Sequence, residues 1–313
     1  MQDYFDLRYK TGDGLELYAR DYPGKTQGAK TQGGETQGGE TQGGETQGRE
    51  APVILCLHGL TRNSADFDEL AVHLSKNFRV LVPEQRGRGQ SQWDPQPSNY
   101  QPGTYVADTL GMLEQLKIRN VIIVGTSMGG LMAMMMAAAR RELVAGVVLN
   151  DIGPEVDPRG LTRIKGYVGK TAPVNNWEDA AATVKELNGI AFPDYEKTDW
   201  MRMAHQLYRE NTAGIPELAY DPAISKPISA DTAAAVPPDL WPLFESLRDI
   251  PTLALRGAHS DILSADCFAE MQRRLPDMSA NEIPHRGHAP ALNEATSIAA
   301  IDQFVEGIVG LQR

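Results

Sequence analysis

Ser127 stands in the run Gly125-Thr126-Ser127-Met128-Gly129, with Gly130 following. The apolar run VIIV precedes it and LMAMMMAAAR follows. G-x-S-x-G between a strand-like and a helix-like run is the sequence form of a nucleophile elbow, a turn tight enough to hold its serine in strained backbone angles. Glycines two before and two after the serine remove side chains that would collide there. The serine is then exposed at the positive end of a helix. A hydroxyl is a weak nucleophile until a base takes its proton, so the pattern calls for a histidine. There are six: His58, His73, His205, His259, His285 and His288. His288 lies in RGHAP, a loop between the strand-like SANEI and the closing helix-like segment, where parallel sheets build sites. It is the expected base, and His285, three residues earlier, is the alternative. The H-x-x-H pair has no third ligand cluster beside it, so no metal is expected.

The base needs a carboxylate to orient it. Asp261, in GAHSDILS after the strand-like TLALR, is the expected partner. Asp151, directly after GVVLN, is the competitor, and Asp266 reads as a helix-surface residue. The order Ser127, Asp261, His288 is the chain order of nucleophile-elbow enzymes. Acyl transfer also needs donors for a developing oxyanion. The residue after the serine, Met128, offers one backbone N–H. The loop His58-Gly59-Leu60, after the run VILCL, offers the Leu60 N–H as the second. His58 itself reads as a hydrogen-bonder that shapes this loop.

These residues must be carried by a sheet. Short runs recur at Val53–Leu57, Arg79–Val82, Val121–Val124, Gly146–Leu149 and Thr252–Arg256, near-continuous in Val, Ile and Leu. Strands covered on both faces look like this. Helix-like stretches alternate with them at Ser64–Lys76, Thr104–Ile118 and Leu131–Glu142, which implies a parallel, doubly wound sheet. FDLRYKT and LELYARDY, around a turn at Thr11–Gly14, alternate and predict an antiparallel edge hairpin. A helix is expected over Asn293–Leu311. Residues 151–250 break the rhythm and hold half of the 20 prolines and three of the four tryptophans. They read as a helical, loop-rich insertion with little core of its own, with helical patches at Trp177–Leu187 and Asp199–Glu210. Its aromatic residues Tyr167, Trp177, Trp200, Tyr208 and Trp241 are candidate substrate-binding wall residues.

The chain has 313 residues, 41 acidic and 30 basic, for a formal net charge of -11. That balance argues against a general nucleic-acid binder, which needs clustered positive charge. Residues 26–50 are five tandem pentads of the TQGGE type whose one apolar residue is Ala29. They cannot bury enough surface to offset ordering entropy, so a flexible insert is expected. Cys56 and Cys267 lie far apart and read as free thiols. MQDYFDLRYK has no apolar core, so it does not read as a signal peptide, and the run Leu131–Ala139 is too short to span a bilayer. A cytoplasmic location is the expectation.

Taken together, HGL at 58–60, PEQRGRGQS at 83–91, YVADTLGML at 105–113, GTSMGG at 125–130, GAHSD at 257–261 and RGHAP at 286–290 resemble the ordered landmarks of the α/β-hydrolase fold family. The resemblance covers the chain except residues 26–50. It implies an α/β fold with an eight-stranded, mostly parallel sheet, a core of residues 1–151 and 246–313, and a helical cap of residues 152–245. Two departures are Glu84, where the family often has Asp, and Thr126, where it often has His. Ser127 sets the chain apart from members with an aspartate nucleophile. Arg86-Gly87-Arg88-Gly89 lacks the remaining residues of a phosphate loop and reads as a turn whose arginines pair with carboxylates. No organic cofactor is implied. The resemblance implies a serine hydrolase of a small-molecule carboxylic ester or lactone. A carbon–carbon bond hydrolase using the same triad is the nearest alternative, with Arg163, Lys165, Arg202 and Arg209 as cations for a second carboxylate. An acyltransferase or a slow-turnover ligand receptor of this fold is a further one.

Overall fold

A computed structural model describes residues 3–24, 51–229 and 239–311. The pentad repeat lies outside the described residues. The chain opens with β1 (Phe5–Lys10) and β2 (Glu16–Tyr22), an antiparallel hairpin registered from Phe5 opposite Asp21 to Lys10 opposite Glu16. The strands β3 (Val53–Leu57), β4 (Val80–Glu84), β5 (Val121–Thr126) and β6 (Val144–Asn150) follow. The helices α1 (Asp68–Leu74), α2 (Pro102–Gln115) and α3 (Met128–Ala139) connect them.

After β6 comes the insertion. It contains α4 (Pro158–Tyr167), α5 (Trp177–Asn188) and α6 (Lys197–Leu207). A small hairpin, β7 (Tyr208–Glu210) with β8 (Pro216–Leu218), and the short helices α7 (Lys226–Ser229) and α8 (Trp241–Glu245) complete it. The chain then returns to the sheet through β9 (Thr252–Gly257), α9 (Ala265–Arg274), β10 (Ser279–Ile283) and α10 (Ala295–Leu311).

Eight strands form one sheet in the order β1-β2-β4-β3-β5-β6-β9-β10. The pairs from β4 through β10 are parallel, and the two pairs made by β2 are antiparallel. The continuous apolar runs have a plain cause. Successive residues of a strand face opposite sides, so Val121 and Ile123 pack toward α2 and α3 while Ile122 and Val124 pack toward α1 and α10. Both faces are dry, and alternation with polar residues has no place. The chain moves from β3 one way to β4 and back across to β5, so the strand order reverses at β3. The crevice beyond the carboxyl ends of such strands is where open α/β sheets bind ligands.

The insertion differs from expectation in two ways. It has its own apolar cluster, with Ala180, Val184, Phe192, Trp200, Met203 and Leu207 packed between α5 and α6. The helix expected to reach Glu210 stops at Leu207, because Tyr208 through Glu210 pair with Leu218 through Pro216 as strands. Ala219 and Asp221 tie the insertion to the core, through Gly89 N–H to Ala219 O at 2.7 Å and Asp221 N–H to Gly87 O at 2.8 Å. Among the described residues no helix is long and apolar enough to cross a membrane.

Candidate active site

Ser127 sits between the end of β5 and the start of α3 with φ 53° and ψ −115°, a conformation non-glycine residues rarely adopt. Holding it costs roughly 1–3 kcal/mol. Its N–H donates to Asn150 O at 3.0 Å, and its carbonyl accepts from Gly130 and Leu131 N–H in the first turn of α3. The elbow glycines are steric necessities. A Cβ on Gly129 would lie 2.0 Å from Leu57 O, and one on Gly125 would lie 2.4 Å from Gly129 O. α3 can therefore start against β3 only if these positions carry no side chain.

Ser127 Oγ lies 2.9 Å from His288 Nε2, and His288 Nδ1 lies 2.7 Å from Asp151 Oδ2. A carboxylate only accepts, so Nδ1 carries the proton and Nε2 is the acceptor that faces the serine hydroxyl. Asp151 is fully buried and directly follows β6. Its Oδ1 accepts from Gly257 N–H at 2.7 Å, and its Oδ2 also accepts from Ser260 Oγ at 2.6 Å. Three donors thus fix one carboxylate behind the imidazole.

This corrects the expected acid. Asp261 is not bonded to His288. It receives Arg163 Nε at 2.6 Å and Nη2 at 2.8 Å from α4 of the insertion. The loop after β9 explains the change. Ser260 Oγ accepts the N–H groups of Ile262 and Leu263 while donating to Asp151, which curls the loop and leaves the next side chain to Arg163. Partial burial raises the Asp261 carboxyl pKa, but Arg163 outweighs this and holds it below the usual range. Chain order could not separate the two acids, since both fall between Ser127 and His288. His285 makes no hydrogen bond to Ser127 or Asp151, and Asp266 is exposed on α9.

Neither the Leu60 nor the Met128 N–H donates to an acceptor among the described residues. The loop that carries Leu60 is clamped from behind. Buried His58 accepts Gln85 N–H on Nε2 at 3.1 Å and donates from Nδ1 to Gly59 O at 2.7 Å. Burial lowers its pKa to about 3, so the ring is neutral and can play both parts. Because a trans peptide points its C=O and N–H in opposite directions, holding Gly59 O aims the Leu60 N–H the other way. Arg88 Nε then donates to Leu60 O at 2.9 Å.

Arg88 departs from the expected pairing. Arg86 engages Asp13, Asp94 and Asp108. Arg88 is fully buried and pairs with no carboxylate among the described residues. Its Nη1 donates to Arg86 O and Tyr105 Oη, its charge lies 4.8 Å from the Tyr105 ring centroid, and Nη2 has no partner among the described residues. No spacing in the sequence distinguishes the two arginines.

Leu60, Arg62, Ser127 and His288 line one pocket whose far wall is the insertion, including Ile164, Tyr167 and Tyr208. Thr126 also lines it, and its Oγ1 accepts Asn150 Nδ2 at 3.0 Å. Three of the expected wall residues lie elsewhere. Trp177 stacks on His205 and donates to Glu210. Trp200 is buried in the insertion's own core. Trp241 donates to Glu155 and carries Arg274 over its ring. Large aromatic residues in a small layer are needed first for its own packing, which composition alone cannot reveal.

A family model described as alpha/beta hydrolase fold matches residues 52–295. The chain belongs to this family. A 3-hydroxybutyrate-oligomer hydrolase of Cupriavidus necator is 33% identical to it, over 82% of this chain and 88% of the relative. A 2-(acetamidomethylene)succinate hydrolase of Mesorhizobium japonicum is 29% identical over 82% and 88%. The crystal structure of an alpha/beta hydrolase from Novosphingobium aromaticivorans superposes with a TM-score of 0.86 at 40% identity, covering 98% of this chain and 99% of that one. The chain is a hydrolase.

Proposed function

We propose that this hydrolase cleaves carboxylic esters through an acyl-enzyme intermediate on Ser127. The observation that carries this is the continuous relay from Ser127 Oγ through His288 to buried Asp151, opening onto a pocket. Ser127 attacks the ester carbonyl as His288 Nε2 takes its proton. Asp151 holds the imidazole and stabilises its cation without taking the proton. The Leu60 and Met128 N–H groups receive the oxyanion. His288 returns the proton to the leaving alcohol. Water then enters, gives a proton to His288 and attacks the acyl carbonyl, and His288 returns that proton to Ser127 Oγ as the acid is released. The insertion, residues 152–245, serves as the cap that walls the pocket.

The relative named for an oligomer of a hydroxy acid supports an ester over other acyl substrates. Carbon–carbon cleavage by the same relay would want unengaged cations in the pocket for a second carboxylate. Arg163 is held by Asp261, Arg202 by Asp199 and Arg209 by Glu217, and Lys165 is exposed outside the pocket. Ester hydrolysis is therefore the better fit. The test is p-nitrophenyl butanoate turnover by wild type and Ser127→Ala. Loss to background is expected, and undiminished turnover by a folded Ser127→Ala protein overturns the mechanism.

A further inference from the structure

Among the charged residues of the pocket wall that the hydrolytic steps leave without a part, Arg62 stands beside the nucleophile. Arg62 follows Leu60 by two residues and lines the pocket with Ser127 and His288. A Cβ built on Gly59 would lie 3.4 Å from Arg62 Cγ and 3.8 Å from Ser127 Cβ, so the arginine stem and the nucleophile flank one point of the wall. Arg62 Nε and Nη2 each donate to Asp66 at 2.6 Å. This two-pronged pair fixes the guanidinium plane. It leaves Nη1 without an acceptor among the described residues.

A guanidinium N–H that is cut off from water is costly to leave without an acceptor. A substrate that fills the pocket excludes water and has to supply that acceptor itself. Asp66 already offsets the charge of Arg62, so an added carboxylate would share one cation with a carboxylate beside it, and like charges at close range repel. A neutral oxygen meets the N–H without that repulsion.

Resting on the ester-hydrolase reading, we infer that Arg62 Nη1 selects esters carrying a second, neutral oxygen acceptor near the scissile carbonyl. A hydroxyl, an ether or the carbonyl of a neighbouring ester would serve. A plain alkanoyl ester leaves the N–H unmet, and sites built to donate a hydrogen bond discriminate strongly against ligands that lack the acceptor.

The experiment measures kcat/KM by acid release for methyl butanoate, methyl 3-methoxybutanoate and monomethyl succinate, with the full-length wild type and Arg62→Met. The methoxy ester is expected to exceed butanoate by about 10- to 100-fold, the range for a hydrogen bond to a charged group. The succinate half-ester is expected to gain nothing. In Arg62→Met the methoxy-to-butanoate ratio should fall to about one. The ratio is internal to each protein, so partial loss of folded enzyme cancels from it. A ratio near one in active wild type overturns the inference, as does a preference that survives Arg62→Met. Best turnover of the succinate half-ester overturns it too, by assigning Arg62 to an anion. No turnover of any of the three overturns the ester-hydrolase reading and this inference with it, an outcome distinct from an active enzyme without preference.

Discussion

Replacing Asp151 by Asn tests the relay at its least expected member. The carboxylate uses Oδ1 for Gly257 N–H and Oδ2 for both Ser260 Oγ and His288 Nδ1. Asparagine has one acceptor oxygen. If that oxygen stays on Gly257 N–H, which can only donate, an NH₂ group takes the Oδ2 position. Ser260 Oγ already takes the Ile262 and Leu263 N–H groups on its two lone pairs, so it cannot accept the NH₂ group without giving one of them up. His288 can meet the NH₂ only by moving its proton from Nδ1 to Nε2, and Nε2 then no longer accepts from Ser127. A relay held in the wrong tautomer loses about ten-thousand-fold in kcat. Asp261→Asn breaks the pair with part-exposed Arg163, for which less than about 1 kcal/mol is expected, or under about tenfold. The assay is steady-state hydrolysis of p-nitrophenyl butanoate at pH 8, with circular dichroism to show that both variants fold. A larger loss in Asp261→Asn than in Asp151→Asn would refute the assignment.

Other consequences follow from the same geometry. Buried His58 has a folded pKa of about 3, below the unfolded value near 6.5, so the unfolded chain binds the extra proton between these limits. Stability should therefore fall as pH drops through that window, with His58 contributing about 1.4 kcal/mol per pH unit. Urea titrations at several pH values should show a shallower slope in His58→Asn, and equal slopes would count against a neutral His58. Arg88→Met frees the Leu60 carbonyl, and a loosened oxyanion loop is expected to lower kcat by about 10- to 100-fold with little change in KM. Unaltered kcat in a folded Arg88→Met protein would show that the clamp is not needed. Deleting residues 26–50 should leave turnover nearly unchanged. Tyr22 and Ile54 both pair with Val80, so about 10 Å separates the strands to be rejoined, at the sheet end opposite Ser127. A folded deletion protein with a large loss of kcat would place the repeat nearer the chemistry than this topology allows.

Much of the sheet was legible because buried parallel strands must be apolar on both faces. VILCL is β3 residue for residue, and VIIV, GVVL and TLALR lie inside β5, β6 and β9. The elbow was legible for a related reason: only glycine fits where α3 meets β3, and that requirement is written into G-x-S-x-G. The pocket wall was not legible. Trp200 and Tyr208 have similar credentials in the sequence and both pack into the insertion's apolar cluster, yet of the two Tyr208 also lines the pocket.

By itself the amino-acid sequence determined the alternation of strands and helices that makes the sheet, the serine on its elbow and the histidine in its loop. Each of these is local, set by a run of apolar residues, a pair of glycines or a neighbouring strand end. The choice of acid was left to the tertiary structure. Asp151 and Asp261 both follow a strand, both precede His288, and no local pattern ranks them. What decides between them is donors from elsewhere in the chain: Gly257 and Ser260 turn Asp151 toward the imidazole, and Arg163, from the insertion, claims Asp261. Hydrogen bonds between residues a hundred positions apart leave no trace in spacing, and the fold alone brings those partners within reach.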